Sequence, residues 1–304
     1  MKFWDVVIIT ASSERQAALY RGEIERRRTA GMLAEGCEFL VVPDPGDRRV
    51  GSGSATINAL AVLAKDVEWW KHHRALLIHS GGDSRRLPQY SPVGKLFGVL
   101  PSRTNPRATT TVFDETMLLS APWAERISSG VLVAAGDVVL KFDAQQVNWQ
   151  RSGVTGVAMR LDAETGSHHG VYIVGDGEQV YTFLQKPTAA EVKAAGGMLA
   201  DGRVAVDIGL LRFDPELTVS LASLANLGEV PAVDLYDQIT RGFTGQWSPS
   251  AQGPFWSKLT SIIRSTEIPW PFIAPLSMAN SFMPVRPSHF ADSRPEQVAF
   301  SIAS

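Results

Sequence analysis

Residues 78–101 read IHSGGDSRRLPQYSPVGKLFGVLP, and the rest of the chain is best read outward from them. The apolar run Ala75, Leu76, Leu77, Ile78 predicts a short buried strand. It breaks into His79-Ser80-Gly81-Gly82-Asp83-Ser84-Arg85-Arg86. Two adjacent glycines directly after a strand permit tight turns and close approach by a ligand. Successive backbone N–H groups in such a turn make a nest for phosphate oxygens. Arg85 and Arg86 add charge and fork-shaped donors. Lys95 follows Pro92 and Gly94, with enough chain between to fold back. Loop and lysine are then expected to grip one polyphosphate from two sides. Read alone, the same stretch also fits a glycine turn with solvated arginines.

Upstream, residues 6–10 (VVIIT) predict a buried strand, and Ser12 or Ser13 caps a helix running to about Met32. Within it, Arg26, Arg27 and Arg28 accompany Glu23 and Glu25 and read as a solvated face. Residues 38–42 (EFLVV) predict the next strand. Strand, helix, strand is how a parallel sheet with helices on its faces begins. Residues 49–60 (RVGSGSATINAL) then open a second helix at Gly51 and Gly53. Ile57, Leu60, Ala61 and Ala64 predict its buried face. With Ser54 or Thr56 as cap, free N–H groups are expected to point at an anion. A dinucleotide-binding reading fails, because no strand directly precedes these glycines. Two glycine turns, each after a strand, predict a nucleotide cradle at the carboxyl ends of the strands.

Downstream, residues 131–135 (VLVAA) predict a strand ending in Gly136-Asp137, which puts a carboxylate at the ligand-binding edge. Asp143 is a second acidic candidate. Residues 154–161 predict another strand, and residues 170–183 a hairpin around Gly175-Asp176-Gly177. Lys186-Pro187 follows. Residues 204–213 (VAVDIGLLRF) predict a core strand, in which Asp207 must be paired or at an edge. Asp214 caps a helix over residues 215–225, and Asp234 lies at the start of another.

These motifs resemble those of sugar-phosphate nucleotidyltransferases, whose usual loop is G-x-G-T-R-L-x-P followed by P-K. The form GGDSRRLPxYxPxGK looks like that of the GDP-L-fucose pyrophosphorylases, or fucose-1-phosphate guanylyltransferases, some of which are fused to a fucokinase domain. The likeness covers roughly residues 6–243. The family has a similar D-P-x-G-x-R-x-G-S-G-G-A-T stretch, with Ser54 here replacing its third glycine. If that position needs positive φ, serine costs about 1 kcal/mol. The family's F-x-E-K-P is matched by Lys186 but not by Gln185, and its N/D-x-G strand by Asp207.

The resemblance implies a Rossmann-like, GT-A-like α/β domain: a mostly parallel sheet flanked by helices, with a small hairpin-containing insertion. It implies that GTP and L-fucose 1-phosphate give GDP-L-fucose and pyrophosphate. Arg86 and Lys95 would be catalytic. Gly51, Gly53, Ser54, Thr56, Gly81, Gly82, Asp83, Ser84 and Arg85 would bind nucleotide. Lys186 and Asp207 would contact the sugar phosphate, and Asp137 would hold Mg²⁺. The alternatives are another sugar 1-phosphate, or a non-catalytic subunit that binds a nucleotide sugar.

A chain of 304 residues holds one large α/β domain, taken as 1–245, plus an extension. Residues 246–304, rich in Pro, Ser and Trp, are expected to be a truncated or poorly ordered extension. The formal net charge of −2 gives no pull toward nucleic acid. The single cysteine, Cys37, excludes an internal disulfide and suits a reducing compartment, the cytoplasm. No apolar run is long enough to span a membrane. The six histidines show no metal-site spacing.

Overall fold

Runs of β-branched and aliphatic residues make the central sheet. The computed structural model describes residues 3–80, 94–101, 109–175 and 180–265, and the backbone of Phe272–Leu276. The first strands are β1 (Val6–Ala11), β2 (Glu38–Pro43) and β3 (Arg74–His79). A small antiparallel ribbon follows, β4 (Val99–Pro101) with β5 (Thr109–Thr111). Then come β6 (Gly130–Ala135), β7 (Val154–Leu161), β8 (Gly170–Val174), β9 (Val180–Gln185), β10 (Val204–Phe213) and β11 (Phe272–Leu276). The helices are α1 (Glu14–Thr29), α2 (Ser52–Leu63), α3 (Val67–Trp70), α4 (Val112–Arg126) and α5 (Ala163–Gly166). They continue with α6 (Ala189–Ala194), α7 (Pro215–Ala222), α8 (Thr240–Phe243) and α9 (Pro254–Ser265).

The main sheet runs in the order β11, β7, β10, β6, β3, β1, β2. Strands β2, β1, β3 and β6 are mutually parallel, so Ala11, Pro43, His79 and Ala135 end on one edge. Strand β10 runs antiparallel to both β6 and β7. The β8–β9 hairpin attaches to β10. The molecule is thus α/β, with a mixed sheet flanked by helices.

Alternate side chains of the parallel strands feed two cores. Val7, Ile9, Leu76, Ile78, Leu132 and Ala134 pack against α1 and α4. Val6, Ile8, Ala75, Leu77, Val131 and Val133 pack against α2, α7 and α9. Because both faces are covered, these strands read as unbroken apolar runs. Helix α1 starts where expected, with Ser13 accepting from the Gln16 N–H. Asp214 caps α7 through the Leu217 N–H.

Three expectations change. Arg26 and Arg28 do pair with Glu23 and Glu25 in solvent, but Arg27 is fully buried. It points inward because Asp114 and Glu23 meet its guanidinium there. In α2, Leu63 is buried and Ala64 exposed, because Ala64 is already the left-handed residue that ends the helix. Past residue 245, α9 buries Phe255, Leu259 and Ile262 in the core beside α7, so this part of the 246–304 extension packs with the main body.

Candidate active site

The carboxyl edge of the parallel strands gathers the polar groups. At the end of β6 the Gly136 N–H donates to the His79 carbonyl at 2.8 Å, tying β6 to β3. Asp137 is the next residue. Lys95 lies in a single 3-10 turn, Lys95–Phe97, and its Nζ is 3.1 Å from Asp137 Oδ2. The lysine side chain is only 10% exposed, and the aspartate is 30% exposed. The Lys95–Phe97 turn therefore lies against the end of the central strand.

Strand β10 brings Asp207 to the same edge. Its ladder with β6 ends where Leu210 pairs with Ala134, and a Cβ on Gly209 would lie 3.2 Å from Ala135 Cβ, which puts the Asp207–Gly209 segment beside the end of β6. A bulge between Asp207 and Leu210 shifts the pairing with β7, with Gly209 at φ +74°. The bulge lets the Gly209 N–H donate to Asp207 Oδ1 at 3.0 Å, and the Tyr172 hydroxyl donates to the same oxygen at 3.2 Å. Burial pushes Asp207 up to about 6, against the pull of these two donors. Tyr172 is pushed well above its usual value, first by burial and then by Asp207, so its hydroxyl stays a neutral donor.

Tyr236 completes the cluster. It sits in a π-helical turn, Leu235–Ile239, a form that recurs at functional sites. Its ring meets the His79 ring edge-on at 6.1 Å. Burial, and then the charges of Asp207, Asp137 and Asp234, push its hydroxyl well above the usual range. His79 is held at about 4 by burial and is neutral near pH 7. Its Nε2 shares a hydrogen bond with Thr56 Oγ1 at 2.9 Å.

The earlier glycine turn reaches this edge too, but its polar groups face the protein. The cap of α2 is Gly51, without a side-chain bond, rather than Ser54 or Thr56. The Gly53 and Ser54 N–H groups both donate to the Val233 carbonyl, at 2.9 and 3.2 Å. Ser54 Oγ donates to the Pro231 carbonyl and accepts from the Val233 N–H. Ser52 Oγ donates to Asp234 Oδ2. The glycine requirement has the same cause. Gly51 has φ +84°, and a Cβ there would lie 2.6 Å from the Val233 oxygen. Ser54 is inside the helix, so the strain foreseen for a positive φ does not arise. Thr56 alone among the four turns toward the cluster, through His79.

Lys186 is exposed at the end of the hairpin, with φ +50°. Gln185 pairs with Gly170, and a Cβ on Gly170 would lie 3.3 Å from Asp207 Cβ, so the hairpin end and Asp207 share one end of the sheet. Asp143 serves as a cap for Gln145. Gly81, Gly82, Asp83, Ser84, Arg85 and Arg86 lie outside the described residues, and so does the question of whether Gly53 and Gly82 share a cavity. Among the described residues no group of three His, Cys, Asp or Glu side chains is placed to hold a metal. Mg²⁺ is commonly held by one or two carboxylates together with substrate phosphates, and the part-exposed carboxylate of Asp137 at the strand end fits that mode.

The family comparison fits this arrangement. The fucose pyrophosphorylase domain family matches residues 67–244, more than half of the chain. The chain belongs to that family. The matched span holds Lys95, Asp137, Lys186, Asp207 and Tyr236, and leaves out α1 and the turn at Gly51. The chain is 30% identical over 243 residues to a bifunctional fucokinase/GDP-fucose pyrophosphorylase of Arabidopsis thaliana, covering 68% of this chain and 23% of that protein. It is 31% identical over 201 residues to a fucose-1-phosphate guanylyltransferase of Mus musculus, covering 62% and 34%. The Homo sapiens protein of the same name gives 29%, covering 62% and 33%. The chain thus spans about a third or less of the curated relatives it matches.

Sequence reading missed His79, Tyr172 and Tyr236 as members of the site. The signal for Tyr236 was its place in Asp234-Leu235-Tyr236, which reads as structural. Asp234 is structural, and Tyr236 faces the cluster.

Proposed function

We propose that this domain is a sugar-1-phosphate nucleotidyltransferase that joins GTP to L-fucose 1-phosphate. The observation that carries the reading is the Lys95–Asp137 pair at the end of the central strand, with Asp207 on the adjacent one. An oxygen of the sugar phosphate attacks the α-phosphorus of GTP. The bond from that phosphorus to the bridging oxygen breaks, and pyrophosphate leaves with the electron pair. Such a transfer needs positioning and charge neutralisation more than acid–base chemistry.

Each residue then has a task. Lys95 stabilises negative charge on the triphosphate, as do Arg85 and Arg86 of the glycine loop with Gly81, Gly82, Asp83 and Ser84. Asp137 holds Mg²⁺, which when bound supplies charge neutralisation at the phosphate oxygens. Lys186 and Asp207 face the sugar phosphate. Residues 51–56 back the nucleotide site through Thr56, which is buried and holds the His79 ring, rather than through the N–H groups of Gly53 and Ser54. The four parallel strands, with Lys95 and Asp137 gathered at their carboxyl edge, support a GT-A-like nucleotidyltransferase fold. A chain with one cysteine suits the cytoplasm, and among the described residues no helix is long and apolar enough to cross a membrane.

The test is a pyrophosphate-release screen of four nucleoside triphosphates against several sugar 1-phosphates with Mg²⁺. GTP with L-fucose 1-phosphate is the expected pair. Preference for another sugar would redirect the substrate assignment. A melting shift with GTP but no pyrophosphate from any pair would make the domain a binding module.

A further inference from the structure

One face of α1 carries polar groups that the proposed reaction has not used. Gln16, Tyr20, Ile24 and Arg27 are all buried and recur with helical spacing. This face underlies the turn that presents Lys95. The Tyr20 hydroxyl lies 2.7 Å from Ser80 Oγ, directly after β3. The same hydroxyl touches Gly94, the residue before Lys95. Gly94 has φ +65°, and a Cβ there would lie 2.0 Å from the Tyr20 oxygen. One hydroxyl therefore joins the point where the chain leaves the sheet to the point where it returns. The Tyr20 ring packs on Phe97, centroid to centroid at 5.1 Å.

Arg27 supports Phe97 from below. Its guanidinium lies 5.0 Å from the Phe97 ring centre and 5.4 Å from that of Phe113. It forks onto both oxygens of Asp114 at 2.6 and 3.0 Å and reaches Glu23 at 2.6 Å. Burying a charge is expensive, and a packed apolar side chain stabilises as well or better. What a satisfied polar network adds is one defined geometry. Here the geometry it defines is that of the Lys95–Phe97 turn.

We propose that Tyr20, backed by Arg27, is a positioning residue that sets Lys95 against Asp137. This rests on the role given to Lys95 above. Tyr20 touches no reacting atom in this account and acts only through the turn. Burial pushes its hydroxyl up to about 12, so it remains a neutral hydrogen-bonding group at working pH.

A double-mutant cycle decides it. Tyr20→Phe removes one oxygen and keeps the ring, so the fold is retained. In the parent it should lower kcat about ten- to a hundredfold, the scale of a small misplacement of a catalytic group. KM for GTP should change less. In a Lys95→Met background Tyr20→Phe should cost nothing further, because the group it positions is gone. Ser80→Ala should reproduce Tyr20→Phe without adding to it. The same cycle is read on the melting shift given by GTP with Mg²⁺, so that a slow Lys95→Met variant still reports. An equal loss from Tyr20→Phe in both backgrounds, or no loss in the parent, would overturn the proposal while leaving Lys95 in place. Full activity in Lys95→Met would instead remove the role of Lys95, and the positioning role with it.

Discussion

Two glycine-bearing turns lie at the same edge of the sheet and send their polar groups in opposite directions. At residues 51–54 the Gly53 and Ser54 N–H groups, the Ser52 and Ser54 hydroxyls and the glycine surfaces are taken up by residues 231–239, chiefly Pro231, Val233 and Asp234. At residues 94–97 Tyr20 lies against Gly94 and Phe113 against the Phe97 ring, and the lysine is delivered forward to Asp137. A glycine permits close approach, but what approaches is decided elsewhere in the chain. In the first turn it is a neighbouring segment of the protein. In the second it is a tyrosine that orients a charged side chain. Predicted effects on activity should therefore concentrate at the second turn and effects on stability at the first.

The largest expected effect is at Asp137. Asp137→Asn keeps the size and removes the charge. If Asp137 holds Mg²⁺, it should lower kcat more than about a hundredfold, since such an ion supplies several kcal/mol of charge stabilisation. Steady-state kinetics across a Mg²⁺ titration check it, and parental turnover at every concentration would remove Asp137 as the ligand. Lys95→Met comes next. Loss of one charged interaction, about 1.5–3 kcal/mol, predicts about a ten- to hundredfold fall in kcat, with a smaller rise in KM. Unchanged kinetics would end the contrast between the two turns from the active side.

Ser54→Ala probes the other turn. It removes the donor to the Pro231 carbonyl and one acceptor of the Val233 N–H. The expected cost is about 1–2 kcal/mol of stability, a fall in Tm of about 2–8 °C for a chain of this size. KM for GTP should stay near the parent value. A raised KM at unchanged Tm would show that this turn binds ligand after all.

The smallest effect is a pH dependence at Asp207. Its folded value of about 6 lies above the ordinary 3.8. Between those values the folded state binds more protons than the unfolded one, so the contribution of this group to stability is full below 3.8 and is lost as pH rises through about 6. Asp207→Asn keeps an oxygen to accept from Gly209 and Tyr172 and removes the titration. The difference in Tm between parent and variant should therefore shift in favour of the variant from pH 4 to pH 7. A constant difference would mean that Asp207 titrates alike in the folded and unfolded chain.

The parallel block was legible because each strand is an unbroken apolar run, which is what burial on both faces demands. Ser13, Asp214 and the Gly136-Asp137 step were legible for a similar reason: a cap or a strand end is a local event. The place of Asp137 just past the end of β6 followed from that. Arg27 was not legible. Its neighbours Arg26 and Arg28 find local partners three residues away, but Asp114, the carboxylate that draws Arg27 inward, lies 87 residues distant in α4.

The amino-acid sequence by itself determined the order of the parallel strands and their helices, the edge to which Lys95 and Asp137 come, and the identity of Lys95, Asp137 and Asp207 as candidates. These depend on periodicity, on breaks in periodicity and on motif spacing, which are properties of neighbouring residues. Only the tertiary structure decided that Val233 fills the first glycine turn, that Tyr20 closes the second, and that Tyr236 and His79 stand among the acids. Those outcomes depend on which distant segment arrives at a given backbone group, and packing of the whole chain selects it.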